Sequence, residues 1–314
     1  MRKLWMALGL MLVIVCTGCT AQNAGTEEDG LRIVVSAYPA FDFARQVAGE
    51  GAQIRMLTRP GIDPHEYEPT PQNMIDIENC DIFIYNGGES DVWVDELLKS
   101  VENDSMRIIR MMDCVTLLEE ETVEGMEVET EDHAHGETSE EYDEHVWLSP
   151  VNVMQIAGSL CDTLTKADPE NAETYEENTA EFLSALGELD ARFREIAANA
   201  KRTTVVFADR FPARYFTEEY GLTYYAAFPG CSSQTEPSAA TVAFLIDKIR
   251  EEEIPFVFSV PYSLSSLPQT ISEETGAGIL MFNSFHNVSD REFGQVTYID
   301  VMTENAQALA RALN

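Results

Sequence analysis

The sequence predicts an α/β protein of two Rossmann-like lobes, each with a parallel sheet, joined by one long rigid helix. Two patterns lead there. Short, almost continuously apolar β-rich runs alternate with amphipathic stretches, and the alternation occurs once in each half of the chain. Strands apolar on both faces and separated by helices belong to parallel sheets covered on both sides. Between the halves, Phe182, Leu186, Leu189, Phe193 and Ile196 recur at steps of four, three, four and three, which draws one apolar stripe along a single helix.

In chain order, Leu31–Ala37, Gln53–Thr58, Asp81–Tyr85 and Arg107–Met111 read as strands, with helical patterns near Phe41–Gly49, Pro71–Asn79 and Asp91–Val101. The second half repeats the rhythm. Thr203–Phe207, Thr223–Ala227, Phe256–Val260 and Gly278–Phe282 are strand-like, and Ser238–Glu252 and Thr303–Leu313 helix-like. The long helix starts at Asp168-Pro169, a capping residue followed by proline at the first helical position, and runs to about Ala198. At 1.5 Å per residue it measures about 45 Å, more than a crossover within one sheet needs. It therefore reads as a strut between lobes; the alternative is a long helix packed on one domain. The lobes are placed at residues 31–166 and 201–314, with the helix at 167–200.

A chain of 314 residues suits two lobes of ordinary size. Asp and Glu number 55 against 20 Lys and Arg, a formal net charge of −35, while a 45% apolar content excludes wholesale disorder. Such a surface repels phosphate backbones, which argues against nucleic acid as a partner and favours cations. Arg2 and Lys3 precede an apolar run, Leu4–Cys16, too short for a comfortable membrane span. Thr17-Gly18-Cys19 then looks like the end of a bacterial lipobox, with Cys16 where leucine is usual. Residues 1–18 are expected to be a signal peptide, Cys19 the lipidated residue and residues 19–30 a flexible tether. The protein is thus expected outside the cytoplasm, anchored to the cell membrane by lipid; an ordinary secretory signal is the other reading. Cys80, Cys114, Cys161 and Cys231 show no CxxC spacing, so buried free thiols or one disulfide are expected rather than a thiolate cluster.

Glu119 to Glu144 holds thirteen acidic residues, no Lys or Arg, and His133 and His135. Its composition predicts a mobile loop. Three of the five histidines fall between His133 and His145, which favours auxiliary metal capture by this loop over incidental placement. A proline-punctuated loop, Pro60 to Pro71, holds His65 rigidly, because each proline fixes its own φ and restricts its predecessor. In Asp143-Glu144-His145-Val146-Trp147-Leu148-Ser149-Pro150 another histidine stands just before a helix start. Asn86-Gly87-Gly88-Glu89 lacks a P-loop lysine and a dinucleotide fingerprint, and reads as a tight turn lining a cleft with Glu89 as a rim acid. Asp209-Arg210-Phe211-Pro212 suits either an Arg–carboxylate pair or direct ligation. No arrangement of catalytic residues points to an enzyme.

At Pro64-His65 with Glu68-Pro69-Thr70-Pro71, and at His145-Val146-Trp147-Leu148, the chain resembles the cluster A-I family of bacterial ABC-transporter solute-binding lipoproteins for zinc and manganese. Asp168-Pro169-Glu170-Asn171 with Tyr175, and Thr235-Glu236-Pro237-Ser238, add weaker support, and the likeness covers essentially the whole mature chain. It implies two α/β lobes joined by a long helix, acting as a monomer with an ABC permease and its ATPase. It also implies metal ligands. The family's first histidine falls on His65 and the second on His145. At the expected position of the third stands Ala208, and in Asn283 to Ser289 His286 takes the place of the family's C-terminal acid. Three histidines plus one oxygen suit Zn²⁺, whereas Mn²⁺ more often wants carboxylates. For the fourth position Asp209 ranks first, as neighbour of the vacated place, ahead of Glu66 or water. The expected function is capture of Zn²⁺ between the lobes; a manganese-specific relative or a metal-binding surface adhesin are the alternatives.

Overall fold

A computed structural model describes residues 30–62, 65, 67–126, 142–230, 237–263 and 265–314. The leader 1–18, Cys19 and the tether up to residue 29, Glu66, His133, His135, Cys231 and Thr235-Glu236 lie outside the described residues.

Two four-stranded parallel sheets form the frame. The first contains β1 (Leu31–Val35), β2 (Ala52–Met56), β3 (Ile82–Tyr85) and β4 (Arg107–Arg110) in the order β2-β1-β3-β4. The second contains β5 (Thr204–Arg210), β6 (Thr223–Phe228), β7 (Phe256–Ser259) and β8 (Gly278–Met281) in the equivalent order β6-β5-β7-β8. Strand alternation explains their apolar runs. Ile33, Val35, Ile82 and Ile84 enter the main core, while Val34, Phe83 and Tyr85 enter a smaller core on the other face. In each sheet the chain order reverses beside the first strand, and the loops leaving the carboxyl ends there line a crevice.

The helices are α1 (Tyr38–Ala48), α2 (Pro71–Glu78), α3 (Val92–Leu98), α4 (Pro150–Ala167), α5 (Ala172–Ala198), α6 (Arg214–Tyr220), α7 (Ala239–Glu251), α8 (Leu267–Thr275) and α9 (Tyr298–Ala312). The long helix is α5, of 27 residues, with Phe182, Leu186, Leu189 and Phe193 buried. It packs against α1 and α4 of the first lobe and α6 and α9 of the second, so it joins the lobes. Its start differs from the expectation. Asp168 accepts hydrogen bonds from the Asn171 amide at 2.7 Å and the Tyr175 hydroxyl at 2.9 Å, and a 3-10 turn, Pro169–Asn171, leads into α5. The C-terminal helix starts earlier than its apolar spacing suggested, because Thr297 and Asp300 form a reciprocal capping box.

The acidic segment needs a correction. Residues 119–126 are docked, not loose: Met126 is buried in the main core, and Glu119 bridges Tyr142. Glu120 accepts from the Gly230 backbone at 3.1 Å, and Glu121 accepts from the Tyr224 hydroxyl at 3.3 Å and pairs with Arg214 at 3.5 Å. Partners on the second lobe supply what local composition lacks. Cys80, Cys114 and Cys161 carry free thiols. Among the described residues, no helix is long and apolar enough to cross a membrane.

Candidate metal centre

Three chain segments meet in the crevice. The loop after β2 carries His65, and its exit is fixed by Thr70, which caps α2 through a reciprocal box with Asn73 and is followed by Pro71. His145 opens a 3-10 turn, Val146–Leu148, after which Ser149 caps α4 by accepting from Asn152 N at 3.3 Å. His286 follows β8, between Phe285, whose φ is +56°, and Asn287. Trp147 ties the last two segments together. Its indole N–H donates to Ser284 O at 2.8 Å, and its ring meets that of His286 edge-on at 4.9 Å.

The imidazoles converge. Ring centroids lie 4.7 Å apart for His145 and His286, 5.3 Å for His65 and His286, and 6.3 Å for His65 and His145. The Nδ1 atoms of two rings are engaged away from the centre, His145 with Asp143 at 3.0 Å and His286 with Ser284 Oγ at 3.0 Å. Their Nε2 atoms are buried without a hydrogen-bond partner among the described residues. Such an orphaned pair is what a cation would satisfy. Glu144 joins them: one donor atom from each of His65, Glu144, His145 and His286 lies within 4.8 Å of the others. Glu144 and His145 are 0% exposed, while the His65 side chain is 14% exposed. Beside His65 and His286 opens a small pocket, lined also by Ile62, Tyr262 and Asn283.

Electrostatics tell the same story. Burial, then repulsion from His145, His65 and Arg210, holds His286 well below the ordinary imidazole value, so it is neutral and fit to donate a lone pair. Burial also opposes charge on His145, but Asp143, with Glu144 and Glu120, outweighs it and raises the value. Burial pushes Glu144 up to about 7 and Asp91 up to about 6, against the hydrogen bonds each accepts. A divalent cation among these groups would reverse the penalty on the carboxylate.

The structure thus brings His65, His145 and His286 together, and it does not bring Asp209. That carboxylate is 2% exposed and spent on the second lobe, accepting from Arg210 N at 2.9 Å, Ser259 Oγ at 3.3 Å and Val260 N at 3.5 Å. Ala208 packs into the core beneath α7 and α8. Glu89 is exposed and outside the donor group. Glu144 was missed although it adjoins a ligand candidate, because nothing in its composition separates it from the other acids of its segment.

The model of one protein family, described as ZnuA, zinc-uptake complex component A, periplasmic, matches residues 33–312. The chain belongs to the ZnuA family. It is 30% identical over 307 residues to the high-affinity zinc uptake system protein ZnuA of Bacillus subtilis (strain 168), covering 96% of this chain and 94% of that protein. It is 32% identical to the zinc-binding lipoprotein AdcA of Streptococcus pneumoniae (strain ATCC BAA-255 / R6), covering 98% of this chain but only 60% of that relative's length. The fold matches the crystal structure of the Zn(II)-bound ZnuA-like domain of Streptococcus pneumoniae AdcA with a TM-score of 0.75 and 29% identity, over 90% of this chain and 99% of that one. The metal-dependent lipoprotein YcdH of Bacillus subtilis gives a TM-score of 0.76 at 27% identity, over 90% of this chain and 100% of that one. ZnuA-type solved structures thus share the two-lobed frame with this chain.

Proposed function

We propose that this ZnuA-family chain is the extracytoplasmic solute-binding component of a metal ABC importer, capturing Zn²⁺ in the crevice between its lobes and delivering it to a permease driven by its ATPase. His65, His145 and His286 are the ligands in this reading. The convergence of three imidazoles, two with orphaned buried Nε2 atoms, is the observation that carries it. The zinc-uptake names of the relatives support it. Nitrogen donors favour zinc over manganese. Cleavage after residue 18, lipidation of Cys19 and action as a monomer belong to the same proposal, as does auxiliary capture by His133 and His135. No catalytic step is required.

Competitive titration of Zn²⁺ against Mn²⁺ on metal-stripped protein, with stoichiometry read by native mass spectrometry, tests it. One tight zinc equivalent, not displaced by excess manganese and lost in His286→Ala, is the expected result. Preference for manganese would overturn the zinc assignment. Absence of tight binding of either metal would overturn capture itself.

A further inference from the structure

We infer that Glu144 is the fourth metal ligand of this chain, so that the first lobe supplies His65, Glu144 and His145 and the second supplies only His286. The inference rests on the capture reading above and deepens its site. Zinc–ligand bonds of about 2.0–2.1 Å place tetrahedral donors about 3.3–3.4 Å apart. Glu144 Oε1 stands 3.5 Å from His65 Nε2, close to that edge length.

The carboxylate is presented, not merely present. Ser90 donates its backbone N–H to Oε2 and its hydroxyl to Oε1, each at 2.9 Å. A carboxylate has about four lone-pair directions, so these two bonds leave capacity on Oε1 for a cation. Asn86 Nδ2 donates to the Glu144 carbonyl at 2.9 Å and fixes the backbone beneath. Gly88, with φ +80°, lies against the side chain: a Cβ there would collide with Glu144 Cβ and Oε2. The turn is itself held by Asp91, which accepts from Asn86 N at 2.8 Å, Gly87 N at 3.0 Å and Ser36 Oγ at 3.2 Å. A side chain at Gly88 would displace the Glu144 carboxylate from this position.

Charge closes the argument. A dication held by neutral imidazoles alone would leave its whole charge where Glu144 and His145 are 0% exposed, a costly arrangement. Glu144 and Asp143, the latter bonded to His145 Nδ1 at 3.0 Å, together neutralise it. Ser90 is then a positioning residue, acting through Glu144.

The test is zinc titration of the metal-stripped protein for Glu144→Gln, Glu144→Asp and Ser90→Ala, with His286→Ala as reference, and Co²⁺ spectra of each. Loss of an outer partner costs about 10–100-fold in metal affinity, so Ser90→Ala is expected near tenfold and Glu144→Gln at about 100-fold or more. Glu144→Asp keeps the charge, shortens the reach and is expected in between. The visible Co²⁺ band, intense in four-coordinate sites, is expected to weaken in Glu144→Gln and to persist in Ser90→Ala. If Glu144→Gln and Glu144→Asp bind zinc within about threefold of the parent while His286→Ala loses it, the Glu144 assignment falls and capture stands. If His286→Ala also binds like the parent, both fall.

Discussion

Asp143 offers the sharpest separation of geometry from charge. Its Oδ1 accepts from the His145 backbone at 2.8 Å and engages His145 Nδ1 at 3.0 Å, and the residue is 2% exposed. The contact leaves Nε2 pointing at the other imidazoles and makes the ring a better donor. Asp143→Asn keeps an acceptor oxygen for both N–H groups but removes the charge; Asp143→Ala removes both and frees the ring to turn. Outer carboxylates of this kind are worth about 10–100-fold in metal affinity, or about 1.4–2.7 kcal/mol. Asp143→Asn is therefore expected near the lower bound and Asp143→Ala near the upper. Zinc competition against a chromophoric chelator measures both, with thermal melting of the metal-free proteins as a check on folding. Parent-like affinity in Asp143→Ala, with unchanged melting, would refute the reasoning. Tighter zinc binding in Asp143→Asn than in the parent would show that charge at this position opposes binding.

At Gly230 a Cβ would stand 2.9 Å from His145 Cε1 and 2.9 Å from the Phe211 carbonyl, so Gly230→Ala is expected to cost about 1–3 kcal/mol of stability and to lower zinc affinity, read by melting and titration. Asp42→Ala strips the acceptor of the buried Tyr298 backbone N–H at 2.7 Å and of Arg45 at 2.6 Å; denaturant unfolding should show a loss of about 2–4 kcal/mol, and a loss below about 1 would mean the contact is idle. Asp81 is held below its ordinary carboxyl value of 3.8, foremost by the hydrogen bond from Arg32. Being depressed, it adds stability above the unfolded value that is lost as pH falls through the folded one. Arg32→Gln should thus trail the parent by at most about 1 kcal/mol near neutrality, after solvent screening, and the gap should close in acid.

What the sequence reveals follows from which forces are local. The strands were legible because a strand buried on both faces must be apolar at every position, as Ile82-Phe83-Ile84-Tyr85 is. The histidine ligand candidates were legible because histidine is rare here and two of the three precede proline-fixed turns or helix starts. Glu144 was hidden for the opposite reason. Among thirteen acids only burial against Ser90 and Gly88 distinguishes it, and burial is a tertiary fact. Asp209 looked suitable by adjacency in sequence, yet the strand sets Ala208 into the core beneath α7 and α8 and turns the Asp209 carboxylate onto Ser259 and Val260. The seven-residue α6 escaped because so short a helix shows barely two turns of periodicity. Docking of residues 119–126 depends on Tyr224, Arg214 and Gly230, none of them near in sequence.

The segment that carries His286 also decides how the lobes can move. Tyr38 and Arg45 donate to Val296 O at 2.7 Å and Gly294 O at 2.5 Å, and Tyr298 N donates to Asp42 at 2.7 Å. Asn287 Nδ2 donates to Arg59 O at 2.9 Å and Ile62 O at 2.5 Å, Gly61 N donates to Val288 O at 2.8 Å, and Trp147 reaches Ser284 O at 2.8 Å. Seven such bonds, at about 0.5–1.5 kcal/mol net each, place a rigid-body separation of this segment from the first lobe at about 3.5–10 kcal/mol before any apolar contact is counted. α5, packed on helices of both lobes, adds stiffness of its own. Under the proposed function, metal therefore has to pass a door smaller than the whole crevice. His65 and His286 mark the place for it: both are partly exposed and line the pocket that Ile62 and Tyr262 border, while Glu144 and His145 are 0% exposed. A cation entering there meets the two partly exposed imidazoles first and the buried donors after, with the lobes still stitched together.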